Sequence, residues 1–115
     1  MTGWPARVVH GMIGRLWHGW AKPEHADAYE RLLRAEVLPG IDRIDGHRGA
    51  FVLRRDDGSR IEFVTLTLWD DLDAVRAFAG DDYELAVVPP EARALLDDFE
   101  ERSAHFDVVI EPASD

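Results

Sequence analysis

The side chains of this 115-residue sequence with the most chemical potential are two histidines, one arginine and a set of rings. His18 lies near the end of an apolar segment, Met12 to Trp20, and His105 opens another, His105 to Ile110. As neighbouring antiparallel strands, these segments would bring both imidazoles to the same end of a sheet, where opposed side chains stand about 5 Å apart at Cβ. Such a pair could share a proton, pass one to a substrate or bind a ligand oxygen. The alternative is a pair of strand-end residues with structural hydrogen bonds. As a metal site the pair is poor, because no His-x-His or His-x-x-x-His spacing supplies a third ligand. Arg15 is a charge in the middle of the first apolar segment and needs an anionic or hydrogen-bonding partner. A substrate enolate or carboxylate would serve, and so would a salt bridge to Glu62 or to a helix carboxylate. Trp17, Trp20, Tyr29, Phe63, Trp69 and Phe78 form an aromatic set. It either surrounds a planar ligand, with N–H and O–H groups to orient it, or fills an ordinary core.

Composition removes several chemistries. The chain has no cysteine, so thiolate catalysis, disulfides and cysteine-ligated metals are excluded. It also has no Asn and no Gln, which leaves no side-chain carboxamide for any site. Thirteen basic against 23 acidic residues give a net charge of −10, which disfavours nucleic acid and anionic membranes as partners. No apolar run approaches the roughly 20 residues of a membrane span, and Val8-Val9 is too short for a signal-peptide core. A cytoplasmic protein is expected. No phosphate loop, nucleophile elbow, calcium loop or zinc-protease helix occurs. Gly46-His47-Arg48-Gly49 and Arg54-Arg55 read as turn and hairpin residues without a chemical role.

The elements that would position these residues follow from period and punctuation. After a leader, residues 1–11, Met12 to Trp20 reads as a strand. Pro23 and Glu24 suit the first turn of a helix whose stripe is Ala26, Tyr29, Leu33 and Val37, and Pro39-Gly40 is expected to stop it. Residues 41–49 read as a polar loop. Ala50 to Arg55 and Arg60 to Trp69 read as a hairpin around Asp56-Asp57-Gly58-Ser59. Along its second strand, Ile61, Phe63, Thr65, Thr67 and Trp69 share one face, and Val64, Leu66 and Leu68 the other. Asp70-Asp71 caps a helix with Leu72, Val75 and Phe78 inward, ended by Gly80. Pro89-Pro90-Glu91 opens another, with the stripe Ala92, Leu95, Leu96 and Phe99. His105 to Ile110 is the last strand, and residues 111–115 form a tail.

The order is that of an α+β, ferredoxin-like βαββαβ domain over residues 12–110, with a four-stranded antiparallel sheet in the order 4-1-3-2 and both helices on one face. The other face has no cover from the helices, yet the strands offer it few charges. An apolar sheet face of several hundred Å² is a partner surface, so a homodimer with two sheets closed face to face is expected. The alternative is a monomer whose leader and tail cover that face.

Arg15-Leu16-Trp17-His18-Gly19, Thr67-Leu68-Trp69-Asp70-Asp71-Leu72, Ala77-Phe78-Ala79-Gly80 and His105-Phe106 together resemble the antibiotic biosynthesis monooxygenase family, over about residues 12 to 110. The resemblance implies a dimeric α+β barrel and, where the family is catalytic, oxidation of an aromatic or polyketide-like molecule by dioxygen without flavin, metal or other cofactor. A phenol or enol is deprotonated and its anion itself reduces dioxygen, inside a dry aromatic cavity with donors for the oxyanion. Trp69 matches the tryptophan ending the family's third strand. Where quinone-forming members carry Asn four residues earlier, this chain has Thr65. Haem-degrading members need a first-strand Asn and a histidine in the helix that follows Trp69; this chain has no Asn, and no histidine between Asp70 and Gly80. The implied roles are proton handling for His18 and His105, and anion stabilisation for Arg15 and Trp69. Trp17, Tyr29, Phe63, Thr65 and Phe78 would form the pocket. A non-catalytic, ligand-binding or stress-associated homodimer on the same scaffold is the alternative.

Overall fold

The computed structural model describes residues 6–113. In chain order the elements are β1 (Ala6–Val8), β2 (Ile13–Ala21) and α1 (Pro23–Leu32), which runs through a π-helical stretch, Leu33–Val37, into α2 (Leu38–Asp42). There follow β3 (His47–Asp56), β4 (Ile61–Trp69), α3 (Leu72–Ala79), α4 (Pro90–Leu95), β5 (Asp98–Phe99), β6 (Ala104–Asp107) and β7 (Ile110–Pro112).

β2 is the centre of the main sheet. It pairs antiparallel with β4 along its whole length, from Ile13 opposite Trp69 to Ala21 opposite Ile61, and β4 pairs beyond with β3. On the other side of β2, β5 and β6 act as one interrupted strand, β5 opposite Gly19 and Trp20 and β6 opposite residues 13–16. This is the 4-1-3-2 order of the ferredoxin-like α+β fold. Local chemistry agrees with it. Asp57 N donates to Arg60 O at 3.0 Å and Gly58 N to Asp56 Oδ1 at 2.8 Å, closing the β3–β4 hairpin. Asp71 caps α3 by accepting from Ala74 N at 2.8 Å.

Period-2 alternation gives the sheet two unlike faces. Toward the helices, Ala21, Ala26, Tyr29, Leu33, Ile61, Phe63 and Ala92 form one apolar cluster, and Ile13, Ile41, Trp69, Ala74 and Val75 form a second. The opposite face carries Leu16, Val64, Leu66 and Leu68 at its centre, with Phe51, Leu53 and Phe106 more than half exposed around them.

Several boundaries differ from the sequence reading. Pro39-Gly40 does not end the first helix. Proline lacks an N–H and crowds the carbonyl four residues back, and the wider π turn immediately before it removes that conflict, so helix continues to Asp42. β3 begins at His47, inside the supposed loop, with its register shifted between His47 and Gly49. Gly46 makes the tight entry: its φ is +89°, and a Cβ there would lie 2.6 Å from Ala74 Cβ. Phe99 sits in β5 rather than on a helical stripe, because α4 ends at Leu95. The last sheet strand stops at Asp107, and Ile110 belongs instead to a ribbon in which β7 pairs antiparallel with β1 of the leader.

Candidate active site

The register of the sheet writes a small grid on its helix-facing side. In one row stand His105, Arg15 and Thr67, each directly opposite the next across β6, β2 and β4. Two residues along are Trp17 and Thr65, again opposite each other, and Ser103 lies just before the Ala104–Leu16 pair. Gly19 keeps room for the Trp17 ring, since a Cβ there would approach its Cη2 to 2.9 Å. Above this floor lies a cavity of about 60 Å³. Its roof is apolar: Tyr29 and Leu33 from the first helix, Phe78 from α3, and Val87, Val88 and Pro89 from the segment leading into α4.

Arg15 dominates the electrostatics. It is 4% exposed, and among the described residues it has no carboxylate partner. Its Nη1 donates to Tyr83 O and lies 3.0 Å from His105 Nε2, while Nη2 donates to Leu85 O at 2.8 Å. The guanidinium carbon sits 5.5 Å from the centre of the Phe78 ring. Burial lowers its pKa to about 10, so it stays charged at neutral pH. Burial, then the charge of Arg15, pushes His105 below the ordinary imidazole value. Burial raises Tyr29 to about 12, which keeps it a neutral phenol. Thr65 Oγ1 and Ser103 Oγ, both in the cavity wall, are buried without a hydrogen-bond partner among the described residues. A buried, unsatisfied hydroxyl costs about 1–3 kcal/mol, so two beside an unbalanced cation favour a ligand bearing oxygen.

Of the residues singled out by sequence, Arg15, Trp17, Tyr29, Thr65 and Phe78 line this cavity. Trp69 stands one step behind: it is fully buried, stacks on Phe78 with centroids 5.2 Å apart, and its Nε1 donates to Thr67 Oγ1 at 2.8 Å. His105 touches Arg15 from behind. His18 and His105, expected at the same end of the sheet, do not meet. β6 is registered so that His105 faces Arg15, three positions from His18, and odd and even residues of β2 point to opposite faces. His18 therefore lies on the open face, 3.6 Å from Glu100 Oε1 and 3.9 Å from Glu62 Oε2. Glu62 is on that face too, bonded to Arg55 Nε at 2.6 Å, so it makes no salt bridge with Arg15. Phe63 packs edge-on to Tyr29 and lines a neighbouring groove between the first helix and β3. His47, read as a turn residue, is buried with its ring edge against Trp69 and its Nδ1 2.9 Å from Asp42 Oδ1. Ser103 and Thr67 were not singled out as site residues. Thr67 was legible from alternation, but Ser103 lies in the break between β5 and β6, which no periodicity announces. Among the described residues, no group of three or more His, Asp or Glu side chains is placed to hold a metal.

Fold and site together define a ferredoxin-like α+β domain with a mainly apolar pocket between sheet and helices, charged at one point. The chain belongs to the antibiotic biosynthesis monooxygenase family, whose model matches residues 12–90. A crystal structure of a protein from Shewanella oneidensis superposes with a TM-score of 0.63 at 15% identity, over 91% of this chain and 97% of that one. The cofactor-independent oxygenase SnoaB from Streptomyces nogalater gives 0.54 at 19%, over 91% and 95%. A monooxygenase from the ActVA-Orf6 gene of Streptomyces coelicolor, crystallised with nanaomycin D, gives 0.50 at 17%, over 91% and 88%. No curated protein matches the chain.

Proposed function

We propose that this protein is a cofactor-independent monooxygenase that oxidises an aromatic or polyketide-like phenol or enol with dioxygen, working as a homodimer in the cytoplasm. The observation that carries the reading is Arg15: a buried cation with no carboxylate, facing a cavity walled by rings and aliphatic side chains. In such surroundings a fixed positive charge stabilises a bound phenolate or enolate far more than in water, and lowers the pH at which the substrate ionises. The anion gives an electron to dioxygen, and the resulting pair combines into a peroxide at carbon. Loss of water then turns a substrate methylene into a carbonyl, so one oxygen atom enters the product and the other leaves as water. Trp69 supports this indirectly, by donating to Thr67 and backing Phe78. Thr65 stands where the quinone-forming relatives are expected to carry Asn, and its free hydroxyl is available to a substrate oxygen.

An aromatic substrate would meet the cavity past Val87, Val88 and Pro89, of which Val87 is 45% exposed. That segment has no regular structure between α3 and α4, and two of its tethers are the Arg15 bonds to Tyr83 and Leu85.

A second reading, a binding protein without catalysis, draws on a specific feature: among the described residues no carboxylate lines the cavity, and the near face of His105 is occupied by Arg15. Oxygen consumption by the purified protein with a panel of dihydroxyaromatic compounds separates the two. Uptake above the uncatalysed rate, lost in Arg15→Met, supports the enzyme. Binding of those compounds with no uptake supports the binder.

A further inference from the structure

We propose that His105 is a positioning residue: as a neutral imidazole it accepts a hydrogen bond from Arg15 and so fixes the guanidinium over the cavity floor without cancelling its charge. This rests on the reading of Arg15 as the group that holds a substrate oxyanion, and goes beyond it by giving His105 a task that involves no contact with substrate.

A guanidinium can only donate, so the Nε2 that lies 3.0 Å from Arg15 Nη1 is the acceptor. The single proton of the neutral ring is then on Nδ1, and that atom is buried with no partner among the described residues. The reverse tautomer would set two donors against each other at 3.0 Å. Protonation would do the same and add a second positive charge. The charged and titratable groups around the ring are Arg15 from β2, Glu84 and Tyr83 from the segment after α3, and Arg76 of α3, whose guanidinium carbon is 5.2 Å from the centre of the Tyr83 ring. Burial and Arg15 oppose the imidazolium more strongly than Glu84 favours it.

The choice of acceptors is what keeps Arg15 unbalanced. Its partners are two backbone carbonyls and an imidazole, all uncharged. Arg102, in the break between β5 and β6, shows the other arrangement: it is held by Asp82 and Glu84 at 3.1 and 3.3 Å and carries no spare charge. A carboxylate in place of His105 would anchor Arg15 as firmly and spend its charge. With no Asn or Gln in the chain, histidine is the uncharged acceptor that reaches from β6.

The test compares wild type with His105→Gln, which keeps an uncharged acceptor that does not titrate, and His105→Ala, which removes it. Imidazole ¹⁵N shifts should show the Nδ1–H tautomer, titrating below the ordinary histidine value. The Arg15 Nε–H resonance should exchange slowly in wild type and His105→Gln, and roughly tenfold faster or more in His105→Ala. With a dihydroxyaromatic that wild type oxidises, kcat/KM should fall about tenfold or more in His105→Ala and recover in His105→Gln, whose acid limb should be missing. An Nε2–H tautomer, an ordinary titration, or Arg15 exchange unchanged in His105→Ala would each overturn the proposal. If wild type oxidises nothing, the catalytic reading fails by itself, and the NMR measurements still decide the role of His105. If His105→Ala does not fold, the wild-type tautomer and the His105→Gln exchange rate decide it.

Discussion

Thr65 and Leu66 are consecutive residues of β4, and they belong to different problems. On the side of Thr65, polar atoms are hidden with work undone: among the described residues the hydroxyls of Thr65 and Ser103 have no partner and Arg15 has no counter-charge. On the side of Leu66 the polar groups are paired, Glu62 with Arg55 and His18 beside Glu100, and what is left undone is area, since Phe51, Leu53 and Phe106 stand in water. Unbalanced charge inside a cavity calls for a small ligand, because only a ligand can reach it. Unbalanced apolar surface calls for a protein, because only another broad face can cover it. One strand can serve both because neighbouring side chains never see the same surroundings.

The contrast can be broken most forcefully at Arg15. Arg15→Met keeps much of the side-chain volume and removes the charge, and should lower oxygen uptake by about 10²–10³-fold while the fold survives by circular dichroism. Next comes the open face. Phe51→Asp with Leu53→Asp should convert a homodimer into single copies in sedimentation, since like charges would face each other across the interface. A wild type that already sediments as one copy would remove this half of the contrast. Gly46→Ala acts on neither face but on the joint between α3 and β3, and should cost about 1–3 kcal/mol in denaturant unfolding, from an L residue at positive φ against Ala74.

Acid should act on the cavity side through His105. Its folded pKa is lowered, so the unfolded chain takes up the proton first. Stability should therefore decline as pH falls from the ordinary histidine value, 6.5, through the lower folded value, then level off, and His105→Gln should lack that decline. The smallest effect sharpens the division of labour. His18→Ala should leave oxygen uptake within about twofold of wild type, because a group on the far side of the sheet does not reach the cavity. A loss as large as that of Arg15→Met would mean that proton handling runs through the open face after all.

Much of the fold was legible. Strict alternation in β4 and the proline, aspartate and glycine punctuation around the helices specify which elements exist and which residues of each share a side, and these are local properties. The site was legible in part for the same reason: Arg15 and Trp17 share one face of β2, and Thr65 and Thr67 one face of β4, by parity alone, whereas the register of β2 on β4 brings the two pairs together. The pairing of His105 with Arg15 rather than with His18 was not, because register between first and last strands depends on the interruption at residues 100–103, where the backbone leaves the ladder to accept Ala86 and bond Glu84. The π turn before Pro39 was hidden likewise, since it answers a steric conflict that composition cannot express.

The claim on which the rest depends is that Arg15 holds an uncancelled charge where a phenol can meet it. Titrating a chromophoric phenol such as 4-nitrophenol by absorbance, free and bound to wild type or to Arg15→Met, measures this directly. The account predicts that the phenol bound to wild type ionises at a lower pH than in solution and that the difference disappears in Arg15→Met. Ionisation at the same or a higher pH on wild type, or an equal shift in both proteins, would contradict it.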